Sequence, residues 1–194
     1  QHTLEFVKQM LADTNPLESG RALTIEQLLD EATNRIPKEL VGQPELESDI
    51  RSILGEAYQN LGHYSKARVH FEKNLALLQD HFGGKHSFVA NGIRELAVLT
   101  HYEGDLAEAD SLYRRAIDAY RGIGETSSGD YAIALNDFGT ILLDQSKNDS
   151  AAAVFEESLV IMRRAFGEKH FQVGSVLNNL AFAYDNMESY TNAD

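Results

Sequence analysis

Seven histidines and many carboxylates are the residues of this chain that could bind a metal or transfer a proton. The histidines show no His-Glu-x-x-His motif, and no two of them stand four residues apart, the spacing that would place two imidazoles on one helical face. Neighbouring carboxylates such as Glu156 and Glu157 are typical of solvated helix faces in an acidic chain. We therefore assign no catalytic residue and no metal ligand, and the sequence does not indicate an enzyme.

A glycine-rich stretch at 122–129 is the one segment that could suggest a phosphate site. It contains neither Gly-x-x-x-x-Gly-Lys nor a Gly-x-Gly-x-x-Gly motif after a strand, so we interpret it as a linker. The chain also has no cysteine, which excludes a thiolate nucleophile, a disulfide and a cysteine-ligated metal. No cofactor is expected.

Charge and hydropathy limit the partners of the chain. Its 194 residues include 30 acidic and 17 basic side chains, for a formal net charge of −13. Phosphate recognition needs clustered Lys and Arg, so we expect no nucleic-acid partner. Since no apolar run approaches the roughly 18 residues of a membrane helix, we expect membrane contact only through segments outside this sequence.

A pattern that recurs every 42 residues identifies the elements that would position any site. It combines a small residue in one helix with a small and an aromatic residue in the next. Its members are Leu54, Gly55, Tyr58, Ala67 and Phe71; then Leu96, Ala97, Thr100, Ala109 and Tyr113; then Phe138, Gly139, Leu142, Ala151 and Phe155. A fixed period of this size indicates stacked units that cannot bury their apolar faces alone.

Each unit reads as two helices, because apolar residues recur at the helical spacing on both sides of a turn. Gly62 would end the first helix, and Ser65 is the expected N-cap of the second. The predicted fold is an all-α, right-handed α-solenoid of antiparallel helix pairs. The expected divisions are an N-terminal part with a degenerate half-repeat, three repeats and a truncated fourth, at 1–48, 49–90, 91–132, 133–174 and 175–194.

The pattern Leu-Gly-x-x-Tyr followed by Ala-x-x-x-Phe resembles the tetratricopeptide repeat. The 42-residue length resembles the long-helix variety of kinesin light chains, whose linker is Leu-Gly-x-x-His-Pro-like. The linkers at 82–86 and 166–170 match most of it and contain His86 and His170. We expect these two histidines to be linker residues that cap the following helices. The middle linker lacks the histidine.

The N-terminal part carries a second resemblance. Helical patterns at 1–15 and after Thr24 are separated by Asn15-Pro16. Thr24 and Gln27 match a capping box that would begin the second helix. Pro37 should kink or shorten that helix. With Phe6-Val7-x-x-Met10-Leu11 and Leu23-Thr24-Ile25-x-x-Leu28-Leu29-Asp30-x-Ala32, the segment resembles the region before the repeats in bacterial serine/threonine kinases of the kinase–membrane helix–repeat type, in which Pro37 is not typical. This resemblance implies a regulatory module on either face of a bacterial membrane. Because the chain starts at Gln1 and stops in a helical pattern, we expect a piece of a longer protein.

The first helix of each tetratricopeptide unit lines a concave groove that can bind a partner. Projection of the face opposite the core predicts the groove residues. They are Asp49, Ser52, Glu56, Gln59 and Asn60; Asn91, Arg94, Val98, His101 and Tyr102; Asn136, Thr140, Leu143 and Asp144; and Asn178, Phe182 and Asp185. The set is rich in Asn, whose side chain both donates and accepts hydrogen bonds, as an extended peptide requires.

The groove residues contain one permanent cation, Arg94, so the sequence favours a neutral or basic peptide or protein as partner. The Lys/Asn/Arg clamp with which chaperone-binding relatives hold a carboxylate is absent. The alternative is a spacer or self-association element with an empty groove. A possible homodimer through the last helix is also expected, because Leu177, Leu180, Ala181 and Tyr184 would lack a covering helix.

Overall fold

The computed structural model describes residues 24–191, with side chains through residue 188. The helix expected at 1–15 therefore lies outside the described residues. The described part is helical and contains no strand. Its helices are α1 Ile25–Glu39, α2 Pro44–Asn60, α3 Tyr64–Phe82, α4 Ser87–Tyr102, α5 Leu106–Gly122, α6 Gly129–Asp144, α7 Asn148–Phe166 and α8 Phe171–Thr191.

The chain divides between Gly83 and Gly84 into two compact units. In the first, α2 packs against α3, and α1 packs against α2. In the second, α4 packs against α5, α6 against α7, and α8 against α7. The repeat boundaries predicted at 49, 91, 133 and 175 lie four or five residues inside the first helix of each pair.

The seam of each helix pair is built as the repeat predicts. Ala67, Ala109 and Ala151 are fully buried. A Cβ added to Gly55 would lie 2.5 Å from the ring of Phe71, and one added to Gly139 would lie 2.3 Å from the ring of Phe155. The absence of a side chain at these two positions thus lets α2 and α6 approach the aromatic rings of their partner helices.

The turn inside each pair uses one equivalent position. Gly62 and Gly104 have φ of +77° and +87°, and Ser146, which follows Gly104 by one period, has φ of +59°. The backbone needs the left-handed conformation here, and two of the three repeats meet this need with glycine. The expected N-cap at Ser65 is wrong, because α3 already begins at Tyr64 and its N-cap residue, His63, makes no side-chain capping bond.

The linkers between pairs end in a side-chain cap. The Phe88 amide donates to His86 Nδ1 at 3.2 Å, and the Gln172 amide donates to His170 Nδ1 at 3.4 Å. In the middle linker the Tyr131 amide donates to the Ser128 hydroxyl at 3.1 Å. The capping role expected for the two histidines is confirmed, and Ser128 does the same at the equivalent position.

A polar cluster attaches α1 to the first helix pair. Thr24 and Gln27 form the predicted capping box, and α1 continues through Pro37 and ends two residues later. Lys66 Nζ donates to Asp30 at 2.6 Å, and the Tyr58 hydroxyl donates to the same carboxylate at 2.7 Å. Burial, together with Asp30, raises the pKa of Tyr58 to about 12.

His70 of α3 is buried beside this cluster. Its ring stacks on Tyr58 with centroids 5.5 Å apart, and its Nε2 lies 3.1 Å from the hydroxyl of Thr33. Burial lowers the pKa of His70 to about 4, and the charges of Arg51 and Lys73 act in the same direction. The imidazole is therefore neutral at pH 7.

Candidate functional site

A cavity of about 650 Å³ opens in the second unit, between the first helices α4 and α6. Its lining is Arg94, Val98, His101, Tyr102, Tyr113, Asp137 and Thr140. The structure thus brings five of the predicted groove residues together around one space. Tyr113, which the repeat assigns to the core, and Asp137 were not among them.

Polar contacts between first helices fix the sides of this cavity. Each contact joins a residue to the one 43 positions further on, one more than the repeat period. The contacts are Arg94 Nη1 to Asp137 Oδ2 at 2.8 Å, His101 Nε2 to Asp144 Oδ2 at 2.6 Å, and Asn136 Oδ1 to Asn179 Nδ2 at 3.0 Å. Neighbouring first helices therefore run side by side with an offset of one residue.

Arg94 is already engaged within the protein. Its guanidinium contacts Asp137, and its Nε donates to Asn91 Oδ1 at 3.0 Å. Burial disfavours the charged form, but the Asp137 carboxylate more than offsets this and raises the pKa of Arg94. The only permanent cation among the predicted groove residues is thus neutralised inside the cavity wall.

The opposite end of the cavity is more open. Tyr102, the last residue of α4, is 62% exposed, and the side chain of Asp144, the last residue of α6, is 52% exposed. Val98 and Thr140 lie half-buried between the two polar contacts. An aromatic ring and a carboxylate therefore face solvent at the same end of the cavity.

The buried side of the cavity is the ring of Tyr113 from α5, which is 1% exposed. Burial raises the pKa of Tyr113 well above its usual value, and the Asp137 carboxylate contributes in the same direction. The hydroxyl therefore remains neutral and can donate a hydrogen bond as well as accept one.

The other predicted groove residues do not line this cavity. Leu143 of α6 is half-buried, and Asn178, Phe182 and Asp185 of α8 are exposed. Asn178 is displaced from the inter-helix contacts by its neighbour Asn179, which bonds Asn136. Those of the first unit lie on α2: Asp49, Glu56 and Asn60 are exposed, and Ser52 and Gln59 are half-buried.

Among the helices of residues 24–191, none combines the length and the apolar composition of a membrane-spanning segment. Within the same part of the chain, no group of three His, Asp or Glu side chains is arranged to hold a metal ion.

The sequence is similar to proteins of Arabidopsis thaliana and of Phytophthora infestans. It is 30% identical over 104 residues to Protein KINESIN LIGHT CHAIN-RELATED 2 of Arabidopsis thaliana, covering 54% of this chain and 16% of that protein. It is 38% identical over 60 residues to the RxLR effector protein SFI4 of Phytophthora infestans, covering 31% of this chain and 18% of that protein. The chain spans less than a fifth of either relative.

Solved structures share its fold. BtubC (BKLC) from P. vanneervenii superimposes with a TM-score of 0.69 at 21% identity, covering 87% of this chain and 67% of that one. A kinesin light chain-like protein of Podosopora anserina with nearly identical TPR-like repeats gives 0.69 at 16% identity, covering 100% and 91%. These likenesses confirm the predicted fold class, an all-α solenoid of antiparallel helix pairs.

Two sequence models of the tetratricopeptide repeat match the chain, at residues 47–122 and 132–172. Together they cover more than half of its length. They agree with the buried small residues of the seams and with the similar structures, so the chain belongs to the tetratricopeptide-repeat family.

Proposed function

We propose that this chain is a protein-interaction module that binds an extended peptide, or a segment of a partner protein, between its first helices. The observation that supports this is the cavity between α4 and α6, whose size lies in the range of ligand pockets. Its open end presents an exposed aromatic ring, the kind of residue that anchors interfaces. Tetratricopeptide repeats form a non-catalytic scaffold, in keeping with a binding role.

The charge of the groove supports a neutral or basic partner. Asp137, Asp144 and Asp185 lie on α6 and α8, whereas Arg94 is paired with Asp137. A strongly acidic segment would meet like charge along this wall, which lowers affinity and slows association. Nucleic acid is disfavoured for the same reason.

The N-terminal resemblance supports one cellular context, the regulatory region of a bacterial serine/threonine kinase. The similar proteins named above carry other descriptions, so this part of the proposal rests on the sequence motif alone. The amino acids encoded before Gln1 in the gene test it. A kinase domain followed by an apolar segment supports it, and any other domain there overturns it.

Selection of a random 12-residue peptide library on the full chain tests the binding function. We expect selected peptides to shift the backbone amide NMR signals of Val98, Tyr102 and Thr140. They should bind at least tenfold more weakly to a variant with Val98→Phe and Thr140→Phe, whose rings fill the cavity without adding charge. Val160→Phe, at a half-exposed site on α7, is the matched control and should leave binding unchanged.

The alternative is a spacer or self-association element. It is supported if no peptide is selected above background, or if selected peptides shift only residues outside the first helices. On α8, Leu177 and Tyr184 are about 40% exposed, whereas their repeat equivalents on α6, Leu135 and Leu142, are buried. Sedimentation velocity over a hundredfold concentration range tests the dimer: Leu177→Glu should shift a dimer to monomer.

A further inference from the structure

We propose that the cavity between α4 and α6 binds the side chain of an arginine or a lysine, supplied by an extended basic segment of the partner. This inference rests on the proposed function and specifies the ligand of the same site. The charged head would lie between the ring of Tyr102 and the carboxylate of Asp144. The aliphatic stem would lie along Val98.

The charges around the cavity favour a positively charged ligand. Arg94 is held by Asp137 at 2.8 Å and by Asn91 at 3.0 Å, so its positive charge is compensated before any ligand arrives. A second carboxylate, Asp144, contacts the imidazole of His101, a lining residue of the cavity, at 2.6 Å. Arg94 is the one lysine or arginine among the lining residues and is paired with Asp137, so the lining supplies no second permanent cation to balance Asp144.

The accessibility of the groups separates a ligand-facing end from a structural end. Arg94 and Asp137 are both about one-fifth exposed, whereas half of the Asp144 side chain remains accessible. A cation can therefore reach Asp144 without displacing the Arg94–Asp137 pair. Separation of Arg94 from Asp137 would leave a mostly buried charge without its partner, which is unfavourable.

The aromatic and apolar groups favour a long cationic side chain over a small cation. Tyr102 presents an exposed ring at the same mouth, and a guanidinium or ammonium over such a face gains a cation–π attraction. Val98 offers apolar contact to the methylenes of arginine or lysine. Thr140 and the neutral hydroxyl of Tyr113 supply hydrogen-bonding groups deeper in the cavity.

The volume indicates that the side chain enters together with part of its backbone. About 650 Å³ exceeds what one side chain fills, and the space is bounded along two parallel helices. A strand-like segment along these helices would place its anchor in the cavity and its neighbours beside Asn136 and Asn178. These amide side chains suit backbone N–H and C=O groups.

Four synthetic nonapeptides test the class of ligand. Each is acetylated and amidated, with the sequence Ala-Ala-Ser-Ala-Xaa-Ala-Ser-Ala-Ala, where Xaa is Arg, Lys, Met or Glu. Titration of the full chain, followed by amide NMR shifts, gives the dissociation constants. We expect the Arg and Lys peptides to shift Val98, Tyr102 and Asp144 and to bind about tenfold more tightly than the Met peptide. The Glu peptide should bind most weakly.

Two pairs of variants assign the contacts. Asp144→Asn keeps the shape of the side chain and an acceptor for His101, and it should weaken the Arg peptide about tenfold. Asp149→Asn, an equal change of charge at an exposed site on α7, should leave binding unchanged. Tyr102→Leu should weaken binding about threefold, and Tyr102→Phe, which keeps the ring, should not.

The outcomes separate this inference from the proposed function. If the Met or Glu peptide shifts the cavity residues as strongly as the Arg peptide, the cationic anchor is wrong and the binding function stands. The cationic anchor is also wrong if Asp144→Asn and Asp149→Asn have equal effects. If neither these peptides nor any selected 12-residue peptide shifts the cavity residues, both proposals fail.

Discussion

Replacement of Gly139 by alanine tests the packing of the repeat seam most sharply. An ideal Cβ at this position lies 2.3 Å from Phe155 Cε1, far inside van der Waals contact. The Phe155 ring is fully buried, so it cannot move aside freely. Overpacking of this kind costs about 1–3 kcal/mol. The helix propensity of alanine offsets about 1 kcal/mol of that cost. We expect the free energy of unfolding to fall by up to about 2 kcal/mol.

Urea unfolding followed by circular dichroism at 222 nm measures the change. Gly174→Ala is the matched control, because Gly174 is an exposed helical glycine with no atom within 4 Å of an added Cβ. That variant should gain about 0.5 kcal/mol from helix propensity. The double variant with Gly139→Ala and Phe155→Leu should lose less than the sum of the two single losses, because the smaller side chain relieves the overlap.

The reasoning is refuted if Gly139→Ala is as stable as Gly174→Ala relative to the unchanged chain. In that case the close approach of α6 to Phe155 does not depend on a missing side chain. Additive losses in the double variant would contradict the contact itself.

Three further changes test other parts of the account. Ser146→Gly should raise the free energy of unfolding by about 1 kcal/mol, because Ser146 has φ of +59°. Gly104→Ser should lower it by a similar amount. If both variants unfold in urea with the stability of the unchanged chain, this reasoning is contradicted. The pKa of His70 is about 4 when folded and about 6.5 when unfolded, so the unfolded state binds its proton more tightly. The contribution of neutral His70 to the free energy of unfolding is complete above pH 6.5. About 3 kcal/mol of it is lost as the pH falls toward 4. Urea titrations from pH 4 to 7 should show that His70→Gln removes this part of the pH dependence. Thr24→Ala removes the capping box with Gln27 and should lower stability by about 1 kcal/mol, while an unchanged urea midpoint would show that the cap is not used.

The helix pairs could be predicted from the sequence because their determinants are local and repeated. Small residues recur at Ala67 and at its equivalents one and two periods later, a spacing that few other folds would produce. All three are fully buried in the structure. The capping histidines were predictable because the first helix must satisfy its free amides next to the linker. Ser65 failed as a cap because the helix after the turn at Gly62 begins at Tyr64, two residues earlier than a cap at Ser65 requires.

The details of the cavity depended on long-range pairing that the periodic pattern does not encode. The 42-residue period makes Asn136 the repeat equivalent of Arg94. The two first helices, however, contact each other at a separation of 43 residues, so Arg94 pairs with Asp137. The same offset selects Asn179 in place of Asn178. A search for complementary charges at one residue more than the period would have found the Arg94–Asp137 pair. The polar cluster of Asp30, Tyr58 and Lys66 joins residues 28 and 36 positions apart, and neither separation matches the repeat period.

The claim that the space between α4 and α6 receives the partner can be tested in one crystal structure. The full chain would be crystallised with the tightest peptide from the 12-residue library. The account predicts an extended peptide along α4 and α6, with a basic side chain between Tyr102 and Asp144. Peptide density on the outer helices α5 and α7, with the cavity filled only by solvent, would contradict it.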